Sequence, residues 1–325
     1  MNKKKEKIIV TGAAGFIGYH FIKKILKYNY DVIGIDNLNH YYDVKIKQGR
    51  LNDLKSKKFL FIKEDLTNKN KTFKIFKKYN PKYIFHFAAQ AGVRHSFIEP
   101  DSYFDNNLKA TYNILEASKL IGAANLFIAS TSSVYGNNKK KKFNENDEII
   151  KPIQLYAATK SSIEVLAYSY SVNYKTNIVI FRFFTVYGPW GRPDMALFKF
   201  VKNILAGKQI QVFNKGNHKR DFTYVEDLVT CMIKIFFFKK RKNKKLKYEI
   251  FNIGAGNQQS LKKYINLIEF YLKKKSKQKL LPLQRGDIKN TFSDNTKLKK
   301  IIGKYKFIPI STGIKRFIKW YREFY

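Results

Sequence analysis

Short apolar runs alternate with longer stretches of mixed polarity along the first half of the chain. The apolar runs predict buried β-strands over residues 7–11, 31–35, 59–63, 82–86, 125–129 and 177–183. Apolar residues at helical spacing predict helices over residues 16–28, 101–121 and 156–174. Strands that alternate with helices predict an α/β fold built on a doubly wound parallel sheet with right-handed crossovers.

The pattern changes after Gly188, where prolines and glycines mark a loop and short strands then mix irregularly with helices. We therefore divide the chain into a first domain over residues 1–186 and a smaller mixed α/β C-terminal domain over residues 187–325. Residues 250–254 are apolar enough to form a strand that returns to the main sheet.

The composition is that of a globular protein, with 325 residues of which 44% are hydrophobic. The single cysteine, Cys231, excludes an internal disulfide and is typical of a reducing cytoplasm. No apolar run approaches the ~20 residues that span a bilayer. The basic start followed by apolar residues 8–18 is similar to a secretory signal, but three glycines interrupt it, and we expect a cytoplasmic protein.

The formal net charge of +40 would ordinarily indicate a nucleic acid or an anionic membrane as partner. However, the densest lysine runs, over residues 139–142, 239–247 and 273–279, fall between the periodic segments and mostly lack interleaved aromatic residues. Lysine, asparagine, isoleucine, phenylalanine and tyrosine are abundant together, which is what AT-rich coding produces whatever the function. We expect no specific nucleic-acid partner and no membrane partner; the positive field helps to attract an anionic nucleotide.

A glycine-rich turn, Gly-x-x-Gly-x-x-Gly, joins the first predicted strand to the first predicted helix. Its first glycines allow a tight turn and a close approach of a pyrophosphate, which the helix N-terminus attracts, and the last glycine lets helix and strand pack closely. The residues expected to hold a dinucleotide here are Gly12, Gly15, Phe16, Ile17 and Gly18.

Asp36 ends the second predicted strand, 18 residues after Gly18, and Asn37 follows it. An acid at this position accepts hydrogen bonds from the ribose hydroxyls and disfavours a 2′-phosphate, so NAD is preferred over NADP. The alternative is that Asp36 and Asn37 form a simple turn. We interpret residues 1–186 as a Rossmann-type NAD-binding domain.

Residues after the third and fourth strands extend this site, because ligands bind outside the carboxyl ends of parallel strands. Asp65 and Leu66 follow the third strand, where Asp65 can approach the adenine. Ala88, Ala89 and Gln90 follow the fourth strand, where small residues let the backbone pass close to the cofactor.

Tyr156 and Lys160 are four residues apart on a predicted helix, so their side chains share one face. A free tyrosine, with a pKa near ~10, is a poor base at neutral pH. A lysine ammonium stabilises the phenolate, and the pair can take a proton from a hydroxyl while a hydride leaves the same carbon. The spacing alone is common; the glycine turn and the hydroxyl-rich run over residues 130–133 strengthen the interpretation.

Four longer stretches match a known family. They are Asp-Asn-Leu-Asn at 36–39 with residues 41–45 and 50–51, Ala-Ala-Gln-Ala-Gly-Val-Arg at 88–94, residues 181–196, and Arg-Asp-Phe-Thr-Tyr-Val at 220–225. Through them the chain resembles the nucleotide-sugar epimerases of the extended short-chain dehydrogenase/reductase family from about residue 9 to residue 320. Within that group it is most similar to the members that act on UDP-glucuronate.

The resemblance implies a redox-neutral epimerisation at C4, from UDP-glucuronate to UDP-galacturonate through a 4-keto sugar. It implies that Tyr156 takes the 4-hydroxyl proton, that Lys160 holds the ribose and stabilises the phenolate, and that Thr131 bonds the same sugar oxygen. It also implies tightly held NAD, which accepts the hydride from C4 and returns it to the other face of the sugar.

Family members that dehydrate or decarboxylate usually carry an acid within two positions of the active-site threonine. Ser132 and Ser133 stand there in this chain, which disfavours both reactions. With Thr185, these neutral hydroxyls can donate to a C5 carboxylate without placing a second negative charge beside it. The alternative is that the serines only cap or fill the strand end.

Arginines are expected to hold the diphosphate, because a guanidinium binds phosphate bidentately. Arg192 and Arg220 lie in family-matching loops, and Arg94 is a third candidate that holds the loop or senses the substrate. Asp287 belongs to the segment that the resemblance implies closes over the uridine, although Arg285 stands where the family usually has proline. The alternative for Arg192 and Arg220 is ordinary surface charge.

Two other functions stay open. The nearer is a 4-epimerase for a neutral sugar, UDP-glucose or UDP-N-acetylglucosamine, in which asparagine commonly stands at the position of Thr185. The more distant is a non-catalytic dinucleotide-binding protein with salt-sensitive nucleic-acid affinity, against which the intact Thr131, Tyr156 and Lys160 argue.

The resemblance also implies a homodimer, because relatives commonly dimerise through the helices near residues 101–121 and 156–174. No metal is expected, since the five histidines show no metal-ligand spacing, and His86 at a strand end is interpreted as structural.

Overall fold

The computed structural model describes residues 5–122, 125–174, 176–242 and 248–325. Its strands are β1 (Glu6–Thr11), β2 (Tyr30–Asp36), β3 (Phe59–Lys63), β4 (Tyr83–His86), β5 (Asn125–Thr131), β6 (Asn177–Phe183), β7 (Thr185–Tyr187), β8 (Ile210–Val212), β9 (Lys219–Tyr224), β10 (Tyr248–Ile253), β11 (Gln258–Ser260) and β12 (Gln278–Leu280). Its α-helices are α1 (Phe16–Ile25), α2 (Val44–Asp53), α3 (Lys69–Tyr79), α4 (Pro100–Tyr103), α5 (Ala110–Leu120), α6 (Leu155–Asn173), α7 (Ala196–Leu205), α8 (Val225–Lys242), α9 (Leu261–Leu272), α10 (Thr296–Ile302) and α11 (Ile310–Phe324). Turns of 3₁₀ helix span His95–Phe97, Ser132–Tyr135 and Phe213–Gly216, and Phe104–Lys109 forms a wide π-helical turn.

The main sheet has seven strands in the order β10-β6-β5-β4-β1-β2-β3. β1 pairs in parallel with both β2 and β4, β2 pairs in parallel with β3, and β4 with β5. The strand order reverses at β1, which leaves a crevice outside the carboxyl ends of β1 and β4. The predicted α/β fold with a doubly wound parallel sheet is confirmed, and the strand expected at residues 250–254 lies beside β6 as β10.

Successive residues of the central strands point to opposite faces of the sheet. Ile84 of β4 and Leu126 of β5 enter an aliphatic core with residues of α5 and α6. Phe85 and Phe127 point the other way, where their rings stack with centroids 4.4 Å apart. This aromatic face continues through Phe21 of α1, Phe181 of β6 and Phe236 of α8. Because both faces are covered, the strands occur in the sequence as continuous apolar runs.

The observed helices differ from the predicted ones in three respects. α1 ends at Ile25, three residues early, because Lys27 and Tyr28 donate backbone bonds to carbonyls three positions back and tighten the chain into a turn. The helix predicted over residues 101–121 is α4, the π-helical turn and α5 in succession. The hydrophobic pattern does not predict α2 and α3, since each buries only a few residues.

The chain divides into two compact units, each made of three segments. The first unit contains Met1–Gly136, Glu148–Arg182 and Ile235–Phe251, and the second contains Asn137–Asp147, Phe183–Lys234 and Asn252–Tyr325. The assignment of residues 1–186 to cofactor and 187–325 to substrate stays a prediction.

The second unit has its own small sheets. β11, β9 and β7 form one, and β8 pairs in parallel with β12. Phe222 of β9 stacks on Tyr264 of α9 with ring centroids 4.2 Å apart, and Phe317 and Trp320 of α11 pack on Phe198 of α7. Aromatic packing therefore joins β9 to α9 and α7 to α11 within this unit.

Several lysines of the basic runs form ion pairs. Lys140 pairs with Asp147, and Lys240 near the end of α8 pairs with Glu6. Residues 243–247 of the second run lie outside the described residues. None of the helices described here is long and apolar enough to cross a membrane.

Candidate active site

The turn between β1 and α1 has no room for a side chain at its glycines. Gly12 has a φ of +68°, and a Cβ on it would lie 2.7 Å from the backbone nitrogen of Ala88. A Cβ on Gly18 would lie 2.1 Å from the carbonyl oxygen of Gly12. Gly15 is the N-cap of α1, and the amides beyond it belong to Phe16 and Ile17. A cradle of bare backbone at a helix N-terminus fits the pyrophosphate of a dinucleotide.

Asp36 ends β2 beside this turn. Its carboxylate accepts hydrogen bonds from the backbone nitrogens of Ala14, at 3.1 Å, and Leu38, at 2.9 Å. The first bond joins the acid to the glycine turn, and the second closes the bend after β2. The turn and ribose interpretations are compatible, because each carboxylate oxygen has a further lone pair for a ligand hydroxyl.

Two buried cations on α2, Lys47 and Arg50, lie next to the glycine turn and the bend after β2, and sequence reasoning does not single them out. Arg50 donates to the carbonyl of Ala14 at 2.7 Å. Lys47 donates to the backbone and side-chain oxygens of Asn39, both at 2.7 Å. Burial lowers the pKa of Lys47, and the nearby Asp36 carboxylate opposes that shift. The available signal is that Arg50 belongs to a family-matching stretch, whereas Lys47 lies outside these stretches.

Asp65 and Asn37 meet beyond the ends of β3 and β2. Asn37 donates from Nδ2 to the Asp65 carboxylate at 3.0 Å, and Thr67 donates to it from its backbone nitrogen and its hydroxyl, at 2.8 and 2.7 Å. Burial alone would raise the pKa of Asp65, but these hydrogen bonds outweigh burial and lower it. Leu66 is buried, and its carbonyl accepts from Nδ2 of Asn113 at 2.8 Å. Asp65 is therefore a fixed carboxylate at this edge of the sheet.

His86 links β4 to β1 and α5. Its Nδ1 lies 2.7 Å from the hydroxyl of Thr11, and its Nε2 lies 2.9 Å from the hydroxyl of Thr111. The Thr11 hydroxyl accepts from the backbone nitrogen of Ala88 at 3.2 Å, so we assign it as the donor to Nδ1 and assign the imidazole proton to Nε2. Burial, reinforced by the nearby Lys160, lowers the pKa of His86 to about 3. His86 is a neutral structural link.

Asn107, in the π-helical turn, fixes the segment after β4. Its Oδ1 accepts from the backbone nitrogen of Gln90 at 2.8 Å, and its Nδ2 donates to the Gln90 carbonyl at 3.1 Å. The same Nδ2 donates to the hydroxyl of Thr159 at 3.0 Å, and Thr159 donates to the carbonyl of Tyr156 at 2.9 Å. One buried amide thus connects this segment to α6. Sequence reasoning misses Asn107 because a buried asparagine inside a helix matches no motif.

Tyr156 and Lys160 lie one turn apart on α6, as predicted from their spacing. Lys160 is buried, and its Nζ donates to the carbonyl of Ala129 in β5 at 3.0 Å. Burial lowers the pKa of Lys160 to about 8, opposed by the carboxylate of Glu164. Tyr156 is half-buried, with its ring edge-on to Tyr103. Lys160 is therefore held in a fixed position, and the Glu164 carboxylate favours its charged form.

Thr131 is the last residue of β5 and caps the 3₁₀ turn that follows. Its hydroxyl oxygen accepts from the backbone nitrogen of Ser133 at 3.1 Å, and its hydroxyl donates to the Ser133 hydroxyl at 3.2 Å. Ser132 is buried and Ser133 is half-buried. The capping is therefore done by Thr131, not by the two serines.

In the second unit the predicted anion-binding residues form two separate groups. Arg192 donates Nε and Nη2 to the two carboxylate oxygens of Asp194, at 2.9 and 2.7 Å. Arg220 donates to Asp287 at 2.9 Å, and Nε2 of His218 lies 3.4 Å from the same carboxylate. Burial lowers the pKa of Arg220, opposed by Asp287. The fold thus joins Arg220 to Asp287 across 67 residues, while Arg192 pairs within its own loop.

Thr185 and Arg94 are positioned by other elements. Thr185 opens β7, is half-buried and pairs in register with Phe222 of β9. Arg94, in the first unit, is exposed and directly precedes the 3₁₀ turn His95–Phe97.

Asp221 is a buried carboxylate that sequence reasoning does not single out. It accepts from the backbone nitrogens of Ala255 and Gly256, at 2.9 and 3.0 Å, and from the backbone nitrogen and hydroxyl of Ser293, at 3.1 and 2.6 Å. Burial raises the pKa of Asp221, and these hydrogen bonds oppose the rise. Asp221 therefore joins three distant segments beside Arg220.

A sheet whose order reverses beside a bare glycine cradle defines a Rossmann-type dinucleotide-binding protein, and the tyrosine–lysine helix makes it an enzyme of the short-chain dehydrogenase/reductase kind. Within the described ranges, no three histidine, cysteine or acidic side chains are grouped to hold a metal ion. The profile of the NAD dependent epimerase/dehydratase family matches residues 8–254, and the chain belongs to that family.

Relatives extend the likeness to nearly the whole chain. The UDP-glucuronate 4-epimerase of Thermodesulfobacterium geofontis is 41% identical over 317 residues, which is 97% of this chain and 96% of the relative. The crystal structure of UDP-glucuronic acid 4-epimerase from Bacillus cereus, in complex with UDP-glucuronic acid and NAD, is 34% identical with a TM-score of 0.92 and covers 98% of this chain and 100% of its own. The UDP-glucose 4-epimerase of Thermotoga maritima is 28% identical with a TM-score of 0.86, covering 98% and 99%.

Proposed function

We propose that this protein is an NAD-dependent UDP-glucuronate 4-epimerase that produces UDP-galacturonate. The observation that carries the proposal is the bond from Nζ of Lys160 to the carbonyl of Ala129. It fixes the helix that bears Tyr156 against the strand that ends in Thr131. A phenol, an ammonium and a hydroxyl therefore come from two rigid elements at one edge of the sheet, where parallel sheets bind ligands.

The chain's own residues supply acid–base chemistry. Tyr156 takes the proton of the sugar 4-hydroxyl and returns it to the epimer, while the Lys160 ammonium stabilises the phenolate. The Thr131 hydroxyl bonds the same sugar oxygen. NAD, when bound in the glycine cradle, supplies the acceptor for the C4 hydride and returns that hydride, so the reaction is redox-neutral. The residues we assign to NAD are Gly12, Gly15, Phe16, Ile17, Gly18, Asp36, Asn37, Asp65, Leu66, Ala88, Ala89 and Gln90, with Tyr156 and Lys160.

The neutral hydroxyls after Thr131 favour a uronate. Ser132 and Ser133, together with Thr185, can donate to the C5 carboxylate, which an acid at either serine position would repel. A 4-keto uronate is a β-keto acid that loses carbon dioxide readily. A site with donors and no adjacent acid suits a reaction that retains the carboxylate.

Arg192 and Arg220 are assigned to the diphosphate, with Arg94 as a third cation. Each guanidinium has five N–H donors, so Arg220 can bind phosphate while retaining Asp287, and Arg192 while retaining Asp194. These carboxylates hold the guanidinium planes in a fixed orientation, which favours bidentate recognition.

We also infer a cytoplasmic homodimer. α6 exposes Val165, Tyr168 and Val172, with 66%, 57% and 53% of each residue accessible, at a spacing that forms one apolar stripe. Contact with the same stripe of a second copy would cover it. Val165→Glu should convert the dimer to a monomer in light scattering, and a monomeric parent protein would reject the dimer.

The cytoplasmic location is inferred from the single cysteine. The buried thiol of Cys231 suits a reducing compartment.

The test is to incubate the purified protein with UDP-glucuronate, without added NAD, and to follow the sugar protons by NMR. Conversion to a mixture with UDP-galacturonate, without loss of carbon dioxide, supports both the substrate and a cofactor that stays bound. Formation of a pentose would reject the assignment of the serine pair. If UDP-glucuronate stays unchanged even after NAD is added, but UDP-glucose is epimerised, the uronate substrate would be rejected in favour of a neutral sugar.

A further inference from the structure

Behind the proposed catalytic residues lies a buried polar cluster made of Ser130, Tyr135, Glu164 and Arg182. Arg182 donates Nε to one oxygen of Glu164 at 3.0 Å and Nη2 to the other at 2.7 Å. Ser130 donates its hydroxyl to Glu164 at 2.5 Å, and Arg182 donates Nη1 to the Tyr135 hydroxyl at 2.9 Å. Both charged side chains are 2% exposed, so the pair is shielded from solvent.

The cluster stands next to the proposed site at several points. Ser130 directly precedes Thr131, and Glu164 is one turn of α6 after Lys160. The tyrosine of the cluster ends the 3₁₀ turn that Thr131 caps. Through Arg182 of β6 the cluster therefore connects β5, this turn and α6.

Glu164 also affects the charge of Lys160, its neighbour on α6. Tyr156 and Glu164 lie one turn before and one turn after Lys160 on α6, and His86 of β4 is close enough to feel the Lys160 charge. Arg182 of β6 is bound to Glu164. His86 is uncharged at neutral pH, because burial and the Lys160 charge lower its pKa to about 3. Glu164 thus supplies negative charge that opposes the effect of burial on Lys160.

We propose that Glu164 is a positioning residue that presents a negative charge to Lys160 from one turn along α6 and, through Ser130 and Arg182, holds the turn after Thr131 in place. This inference rests on the proposed function, because it concerns the charge that Lys160 presents in that reaction. A buried ion pair is seldom needed for stability alone, since apolar residues of similar volume often stabilise a fold equally well. Apolar residues, however, carry no charge that could keep a neighbouring lysine protonated.

The experiment measures kcat and KM for UDP-glucuronate across about pH 6 to 10 in Glu164→Gln and Glu164→Asp. Loss of a nearby opposite charge moves a lysine pKa down by about one unit or more. The alkaline limb of the kcat profile is the range in which kcat falls with rising pH as Lys160 loses its proton. Glu164→Gln should therefore move this limb to lower pH by about one unit, which is a roughly tenfold loss of kcat at a given pH on the limb, with KM unchanged. Glu164→Asp keeps the charge and should keep the limb. Glu269→Gln, which removes a buried carboxylate paired with Lys275 in the second unit, is the matched control and should leave the limb in place.

A double variant covers the case in which Glu164→Gln leaves Arg182 unpaired and fails to fold. Glu164→Gln with Arg182→Met removes both buried charges, so the protein should fold. Its alkaline limb should still shift, but less than in the single variant, because Arg182 no longer repels Lys160.

Thermal unfolding against pH provides a readout that does not depend on turnover. Lys160 binds a proton less readily in the folded than in the unfolded chain, so its contribution to stability rises with pH between the two pKa values. In the Glu164 variants that lack the charge, this rise should begin at lower pH.

An unchanged alkaline limb and an unchanged thermal profile, in a protein whose wild type epimerises UDP-glucuronate, would overturn the inference. A wild type that epimerises no UDP-sugar would instead overturn the proposed function. In that case the thermal profile still decides whether Glu164 controls the charge of Lys160.

Discussion

The residues assigned to NAD, here called the cofactor half, and the arginines assigned to the diphosphate in the second unit are held by different means. In the first unit, the residues assigned to NAD stand at or just after successive strand ends: Gly12, Asp36, Asp65 and Ala88 for β1 to β4. In the second unit, Arg220 is held by Asp287, 67 residues later, and its neighbour Asp221 joins segments near residues 255 and 293.

This difference predicts how each half responds to substitution. A parallel sheet brings its strand ends to one edge whatever single side chain is changed, so substitutions in the cofactor half should alter chemistry or ligand choice while the fold persists. The second unit depends on a few buried polar bonds between distant segments. Substitutions there should reduce stability as well as activity.

The largest effect is expected at Tyr156. Tyr156→Phe should reduce kcat by about 10³-fold, within the range that loss of an acid–base group produces, while the unfolding temperature and the bound NAD stay unchanged. Tyr170→Phe is the matched control on the same helix; it removes a hydroxyl that donates to Glu116 at 2.6 Å and should change kcat little. Near-wild-type turnover in Tyr156→Phe would reject the mechanism in which Tyr156 is the acid–base group.

The next effect tests the second unit. Asp221→Ala leaves four donors without their acceptor, and the free energy of unfolding in urea should fall by about 3 kcal/mol or more. Asp294→Ala, at a half-buried carboxylate that accepts from Thr296 and from Nδ2 of Asn144, should cost about 1 kcal/mol or less, because solvent can replace the lost acceptor. Equal losses in the two variants would mean that this unit depends no more on the fully buried bonds of Asp221 than on the partly exposed bonds of Asp294.

The same difference explains what the sequence predicts. The strands, their order along the chain and the residues at their ends follow from apolar runs and from the geometry of parallel sheets. Asn107 and Glu164 are not predicted, because a polar residue on a helix gives the same sequence pattern whether its side chain faces a buried amide or water. The pairing of Arg220 with Asp287 escapes because no periodicity relates residues so far apart.

A smaller effect tests His86, the link under the cofactor half. Its folded pKa of about 3 lies below the ordinary 6.5, so between these values the unfolded chain binds more protons and stability is lost as pH falls. The slope is up to about 1.4 kcal/mol per pH unit, and His86→Gln should remove this contribution in urea unfolding measured against pH. Thr111→Val, which deletes one partner but leaves the imidazole, should lower stability and keep the slope. A wild-type slope in His86→Gln would assign the acid sensitivity to other groups.

The smallest effect concerns cofactor choice at the end of β2. Asp36→Ser removes the negative charge but leaves Lys47 and Arg50 close by, so the affinity for NADP relative to NAD should rise about tenfold, or about 1.4 kcal/mol. Calorimetric titration of cofactor-stripped protein measures both affinities. Lys47→Met added to Asp36→Ser should reverse the gain, whereas Asp65→Ser should weaken both cofactors alike. An unchanged ratio of NADP to NAD affinity in Asp36→Ser would mean that Lys47 and Arg50 stay bonded to Asn39 and Ala14 and do not bind the 2′-phosphate. The cofactor half would then resemble the second unit, in that its buried polar bonds organise it more than its strand ends do.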